Sequence, residues 1–450
     1  MQSQIAEGPN KMKSLTTKNL RIWAHASAIY VRPRLLLILA QGFASGMPLL
    51  LTLSTLSYWL AKVHVDRTTI GIFALTGTPY TFKFLWSPII DQLSLPVLGK
   101  WFGRRRSWLF VIQLALAGAI YLMGLTDPSN APMETALAAI LVAFLSASQD
   151  IVIDAYRIEI LKEEEQGPGA GATQVGYRIG LLLSGAGALA LSDHFAWPAV
   201  FATLAVAMLV CAAITLIAPR APEPAITAQR RSYQEWLEEA VIDPFADFMK
   251  RRGWLVILAF VAFYKFGDAI GGWMANPFYE AMGFSGTEIA AVSKIWGVIA
   301  TSLGAVIGGT FVARYGIFRT LMLGGIFQAM TNFGYCVVAW RGHDLWALTG
   351  AISIDNFAGG FAGAAMVAYL SGLTNVAFTA TQYALLSSLS ALGRTVMSTP
   401  SGWLSDHLTW VSFFSLTAFL AVPGLLLLLW LFRLYPQRDK ANERAIAEVP

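Results

Sequence analysis

Residues 103–124, GRRRSWLFVIQLALAGAIYLMG, place Gly103 and the three arginines Arg104, Arg105 and Arg106 directly ahead of an uncharged, mostly apolar run. About twenty such residues, rising roughly 1.5 Å each, cross the hydrocarbon core of a bilayer as an α-helix. Lysine and arginine collect at the cytoplasmic ends of such spans. The stretch therefore reads as a transmembrane helix that starts inside. A weaker copy of the signal stands at Arg314, Gly316 and Arg319, again ahead of an apolar run. Outward from these two points the same reading gives twelve apolar runs, predicted as helices at 34–61, 68–90, 106–126, 134–160, 170–192, 196–218, 253–279, 287–312, 317–340, 345–373, 379–403 and 408–433.

Composition agrees with this. The 450 residues are 56% apolar and 13% charged, about half the charged share of a soluble domain, which excludes an ordinary soluble enzyme. Of the 32 lysines and arginines, 24 lie in the tails or in or beside every second loop; the other loops hold Lys62, Arg67 and Arg341. The net charge of +5 thus reports orientation, with both termini cytoplasmic, and not affinity for nucleic acid. The partners expected are the lipid bilayer and a small molecule, for a chain that works as a monomer. Cys211 and Cys336 both fall inside apolar runs, so neither a disulfide framework nor a metal cluster is expected. Residues 1–33 are polar and basic without a cleavable leader pattern and read as a cytoplasmic tail.

The predicted organisation is a tail (1–33), a six-helix bundle (34–218), a linker (219–252), a second six-helix bundle (253–434) and a C-terminal tail (435–450). The linker starts proline-rich at Pro219–Pro224. From Arg230 it sets Tyr233, Trp236, Leu237 and Val241 against Glu235, Glu238 and Glu239, the pattern of an amphipathic helix on the cytoplasmic surface. A basic, glycine-containing turn after the second helix of each half suggests an internal duplication, the parallel repeat of the major facilitator architecture: an all-α membrane protein of twelve helices.

Nine ionisable side chains fall within the predicted spans: Lys83, Asp150, Asp154, Arg178, Lys265, Asp268, Lys294, Asp355 and Arg394. An ionisable group near the bilayer centre costs about 2.5–3.5 kcal/mol or more, so each is expected to face a partner or a watery cavity. Depth groups Lys83, Asp150 and Arg178 in one cluster, pairs Asp268 with Lys294, and sets Asp355 toward Lys265 or Arg394. Ser146, Asp150 and Asp154 are four apart on one helix face, with Gln149 beside them. All five histidines lie outside the spans, so carboxylates must carry any coupled proton: Asp150, Asp154 and Asp268 are the candidates. Tyr80 and Tyr264 lie deep enough to meet a substrate, and the pair Gly271-Gly272 is placed to unwind the seventh helix. Glycines four apart at 42/46, 176/180, 304/308 and 359/363 are expected to let helices approach closely. There is no Walker A loop and no paired nucleophile and base, so neither an enzyme nor a bound cofactor is expected, and the energy source is an ion gradient.

Several longer motifs carry a resemblance. Gln41–Leu49 (QGFASGMPL), Phe82–Pro88 (FKFLWSP), Gly103–Arg106, Ser146–Ala155 (SASQDIVIDA), Gly176–Gly180 (GYRIG), Tyr264–Ala269 (YKFGDA), Ala380–Ser387 (ATQYALLS) and Ala391–Arg394 (ALGR) closely resemble the AmpG family of muropeptide permeases. The resemblance implies proton-driven import of anhydromuropeptides across the bacterial inner membrane for wall recycling, the process tied to β-lactamase induction. It also implies a substrate site drawn from Lys83, Tyr80, Gln149, Arg178, Tyr264, Lys265, Lys294, Asp355, Asn356, Gln382 and Arg394. Related twelve-helix permeases are associated with siderophore uptake, the second substrate class; a membrane sensor of wall fragments is the alternative outside transport.

Overall fold

The computed structural model describes residues 29–65, 73–222, 242–285, 288–289, 292, 296–398 and 400–435, and every regular element among them is helical. Among the described residues ten helices are long and apolar enough to cross a membrane: α1 (Pro33–Leu60), α3 (Arg104–Gly124), α4 (Pro132–Ile160), α5 (Glu163–Ser192), α6 (Trp197–Ile217), α7 (Trp254–Ala281), α8 (Gly297–Tyr315), α9 (Ile317–Arg341), α10 (Leu345–Gly372) and α12 (Trp410–Leu434). Between α1 and α3 the chain forms short pieces, Phe73–Gly77, Thr78–Phe82, Lys83–Leu85 and Ser87–Gln92, together α2. Between α10 and α12 lies α11, Thr379–Ser398 followed by Ser401–His407.

Among the described residues the helices are not uniform: α2, α7 and α11 are built from shorter pieces. In α2, Pro79 and Pro88 each occupy the first turn of a new piece, where a missing N–H costs nothing and the ring presets the helical φ. The second piece of α11 starts at Ser401 with Pro400 as its N-cap. α7 breaks at Lys265 and again at Met274, on either side of Gly271-Gly272 and not at the pair itself. The amphipathic segment expected from Arg230 to Val241 lies outside the described residues, as does Lys294.

The duplication is visible in the backbone. Gly103 begins α3 at φ 81, ψ 161 and Gly316 begins α9 at φ 85, ψ 164, a region open in practice to glycine alone. Beside Gly103 the arginines form a buried network. Arg105 pairs with Asp91 and with Glu159 at 2.6 Å each, Arg104 donates to the Asp91 carbonyl, and Arg106 donates to the carbonyls of Leu216 and Ala218 at the end of α6. A cation there meets the negative pole of the α6 dipole.

Glycines weld two helix pairs. A Cβ added at Gly42 or Gly46 of α1 would run into the carbonyls of Thr173 or Tyr177 of α5, and one at Gly176 or Gly180 into those of Leu39 or Phe43. Gly304 and Gly308 of α8 meet the backbone of Phe357 and Phe361 in α10 in the same way, and Gly360 meets that of Thr301.

Contacts between the first six helices and the last six close the arginine-rich end. Asp91 accepts from the backbone N–H (3.0 Å) and hydroxyl (3.1 Å) of Thr381 in α11. The Arg157 guanidinium lies 5.5 Å over the Tyr383 ring. Gly167 and Gly171 of α5 abut Gly309 and Ala305 of α8, and Tyr30 donates to the Val306 carbonyl at 2.8 Å.

Candidate functional site

Beyond this closed end, a cavity of about 180 Å³ opens between the halves. Arg178 reaches it from α5; the remaining lining comes from the second half, with Lys265, Asp268, Gly271, Gly272 and Ala275 on α7, Thr301 on α8, Gln328, Asn332 and Tyr335 on α9, and Asp355, Asn356 and Gly359 on α10. Its position follows from the break at Lys265, which turns the chain so that Lys265 and Asp268, three residues apart, both present to one space.

The two carboxylates are held mainly by neutral donors from α9. Gln328 donates its amide N–H to Asp268, while Thr331 and Tyr335 donate hydroxyls to Asp355 at 2.8 and 3.1 Å. The Lys265 charge acts on both carboxylates. Thr301 donates to the Asn356 carbonyl oxygen at 3.0 Å, and Thr417 to that of Asn332 at 3.0 Å. The result is a chamber with charges of both signs beside amides and hydroxyls, suited to a polar ligand that carries both ionised and neutral groups.

A second polar cluster sits in the first half. Asp150 accepts from Ser45 at 2.6 Å, Asp154 pairs with Arg157 at 3.6 Å, and the charge of Lys83, itself 8% exposed, acts on both carboxylates. Tyr80 places its buried hydroxyl near Ser146 and Asp150. These residues stand apart from the cavity lining. Arg178, expected in this cluster, turns to the cavity instead. Arg394 is exposed; its charge acts on Lys265 and Asp268 although it does not line the cavity.

Three residues expected to touch substrate are engaged in packing. Gln149 is fully buried and gives its amide to the Ala44 carbonyl at 2.8 Å. Tyr264 donates to the Leu321 carbonyl at 2.8 Å between α7 and α9. Gln382 ties α11 to the short helix Asp243–Met249 through Pro244 (3.0 Å) and Asp247 (2.8 Å). Tyr264 was placed by depth, and Gln149 and Gln382 by their motifs and their hydrogen-bonding amides; none of these says which face a side chain occupies. Conversely Thr301, Gln328, Asn332 and Tyr335 were missed. The signal was present: Gln328, Thr331, Asn332 and Tyr335 fall at i, i+3, i+4 and i+7, a polar stripe along an otherwise apolar helix.

A model of the Major Facilitator Superfamily matches residues 35–398 and, overlapping, 275–449. The chain belongs to this superfamily. Among facilitators it is 40% identical over 403 residues to the anhydromuropeptide permease of Escherichia coli K12, spanning 89% of this chain and 80% of that one. It is 36% identical over 403 residues to a putative transporter, AmpG 4, of Rickettsia conorii, spanning 88% and 96%. It is an AmpG-type facilitator, a multi-pass membrane transporter. In fold it is similar to the human organic anion transporter MFSD10 (TM-score 0.64, 12% identity, covering 90% of this chain and 99% of that one). It is also similar to the proton:xylose symporter XylE (TM-score 0.61, 14% identity, covering 92% and 96%).

Proposed function

We propose that this facilitator imports anhydromuropeptides, amino-sugar disaccharides with or without a peptide, across the bacterial inner membrane by proton symport. The observation that carries the reading is the 40% identity to the Escherichia coli permease across nearly the whole facilitator region. The cavity supports it. Gln328, Asn332, Thr301 and Asn356 match the acetamido and hydroxyl groups of amino sugars, and Arg178 and Lys265 match carboxylates.

The arginine-rich end is cytoplasmic by the positive-inside rule, which puts both termini inside. The closed contacts at that end then make this an outward-facing state, ready to load from the periplasm. Protonation of Asp150, Asp154 or Asp268 biases the halves toward the inward-facing state, since a ligand drives such a change only through different affinity for the two states.

Uptake of labelled N-acetylglucosamine-anhydromuropeptide into proteoliposomes tests the reading, with and without an inward proton gradient and with a ferric siderophore in parallel. Accumulation of the muropeptide that collapses with protonophore is expected. Siderophore uptake without muropeptide uptake transfers the protein to that substrate class, and binding without counterflow of label marks a sensor.

A further inference from the structure

α9 has a second face. Gln328, Asn332 and Tyr335 line the charged cavity, whereas Phe327, Met330, Thr331, Gly334 and Val337, at i, i+3, i+4, i+7 and i+10, form one wall of another space. α10 supplies the opposite wall through Ala347, Ala351 and Ile354. This space of about 290 Å³ is a groove open to the outside of the bundle: Met330, Val337 and Ile354 at its edges are exposed, and its floor is made of the small residues Thr331, Gly334 and Ala351. Thr331, the polar member of the lining, has its hydroxyl turned inward, 2.8 Å from Asp355 and 2.8 Å from the Gln328 carbonyl, so it asks no hydrogen bond of an occupant. At the inner end the Phe327 ring meets that of Phe357 edge-on, with centroids 5.9 Å apart.

Length and depth identify the occupant. Phe327 and Val337 are separated by ten steps of about 1.5 Å, roughly 15 Å in all, which is half of a hydrocarbon core about 30 Å thick. The outer end lies one turn from the α9–α10 connection, where Trp340 and Trp346 are exposed as aromatic residues are at a membrane surface. The groove therefore runs from headgroup level to the bilayer midplane. With the basic end inside, as proposed above, that is the periplasmic leaflet. Water leaves an apolar space of this kind empty. A volume of about 290 Å³ spread over that length is also too narrow for another helix, about 10–12 Å across.

We propose that the groove binds one acyl chain of a phospholipid of the periplasmic leaflet. The headgroup stays level with Arg341, one turn beyond Val337; Arg341 is exposed and pairs with Asp344 at 3.1 Å, so the mouth carries both signs and takes a zwitterionic lipid. The chain supplies the dispersion contacts that a void between α9 and α10 would forfeit. It rests against Thr331, whose hydroxyl reaches Asp355 in the charged cavity, so the lipid and the transported ligand bind on opposite sides of the same two helices.

The test reconstitutes the full chain in phosphatidylcholine vesicles containing a trace of phosphatidylcholine with a diazirine on one acyl chain, exchanges it through detergent, and then photolyses and maps the label. Label retained on residues 327–337 and 347–354, and lost from the equally exposed α8 face around Leu303, is expected. Moving the diazirine from the carbonyl end of the chain to its methyl end should move the label from Val337 and Ala347 toward Phe327. In Gly334→Leu the side chain fills the groove. A Cβ there meets Ala351 at an ordinary contact distance of 3.5 Å, so the variant is expected to fold and to lose the retained label. Label that leaves the groove and the α8 face alike marks annular lipid only and overturns the proposal, as does label unchanged by Gly334→Leu. A wild type without groove label that runs as a dimer, dissociated by Gly334→Leu, gives the groove to a second copy and overturns it too. Should Gly334→Leu not fold, the wild-type comparison of the groove with the α8 face decides. No arm involves transport, so failure here is distinct from failure of the muropeptide reading.

Discussion

The helix pairs α1/α5 and α8/α10 and the helices α2, α7 and α11 solve the same packing problem in opposite ways. In the pairs, glycines four apart let two backbones meet with no side chain between them, and α8 and α10 run unbroken through the contact. In α2, α7 and α11 the helix stops and restarts at Pro79, Lys265, Pro88 or Pro400. The pairs meet each other at the closed end, through Gly167–Gly309 and Gly171–Ala305. The broken helices carry Lys83 on α2, Lys265 and Asp268 on α7 and Arg394 on α11, while the welded α5 and α10 bring Arg178 and Asp355 to the cavity. Welded backbone fixes where its charges stand, whereas interrupted backbone turns the chain beside them.

The most severe way to break this contrast is Gly46→Leu. Its side chain would have to displace the Tyr177 backbone, and overpacking costs about 1–3 kcal/mol, occasionally more, even where the neighbours are movable side chains. Loss of the monodisperse peak in detergent chromatography is expected. Gly272→Ala, on a broken helix and with nothing within 4 Å of the added atom, should elute and melt as the wild type.

Next comes Arg105→Ala, which takes the 2.6 Å ion-pair partner from buried Asp91 and from Glu159, leaving them Thr381 and the more distant Arg104. Breaking a buried pair from one side costs about 3–5 kcal/mol, and thermal melting should fall accordingly, with Arg105→Lys recovering only part because the forked geometry is lost.

Thr381→Val is milder. It removes one of two hydrogen bonds across the closing seam to a charged acceptor, roughly 1.5–3 kcal/mol, so spin-label distances across the basic end should lengthen while melting barely changes. An unmoved distance distribution would show that the seam is held by the glycine contacts alone.

The smallest effect tests the welded side at its edge. Asp344 caps α10 by accepting from Trp346 and Ala347, and those backbone bonds, Ala347 first, with Arg341 nearby, hold its carboxyl below the usual aspartate range. A depressed pKa contributes stability that is full above the ordinary value of about 3.9 and fades as pH falls through the folded one. The melting difference between wild type and Asp344→Ala should therefore shrink in acid, with transport unaffected at neutral pH.

Half of this contrast was legible before any coordinates. Gly103 and Gly316 with their arginines marked the repeat, because charge beside an apolar run is a signal a single strand of text preserves. Lys265, Asp268, Asp355 and Asn356 stood out as site residues, since a charged or amide side chain inside a span needs a reason to be there; Arg178 stood out too, but grouped with Lys83 and Asp150. The α9 stripe escaped notice because glutamine, asparagine and tyrosine are tolerable inside an apolar run, and only their joint spacing betrays a face. Gln149, Tyr264 and Gln382 failed in the other direction: polarity in a span announces a partner, and whether that partner is a ligand or a neighbouring carbonyl is a matter of helix rotation. The breaks in α2 were written in Pro79 and Pro88, yet an apolar average over twenty residues smooths them away.

The Tyr30 hydroxyl, lodged beside Gly171 and Gly309 with its hydrogen on the Val306 carbonyl, ties the turn ahead of α1 to α8 in the other half. Arg32 fastens the same turn to Glu165 at 2.7 Å. Two neighbouring side chains thus staple one short segment to both sides of the α5–α8 seam, so parting that seam means giving up the Tyr30 bond.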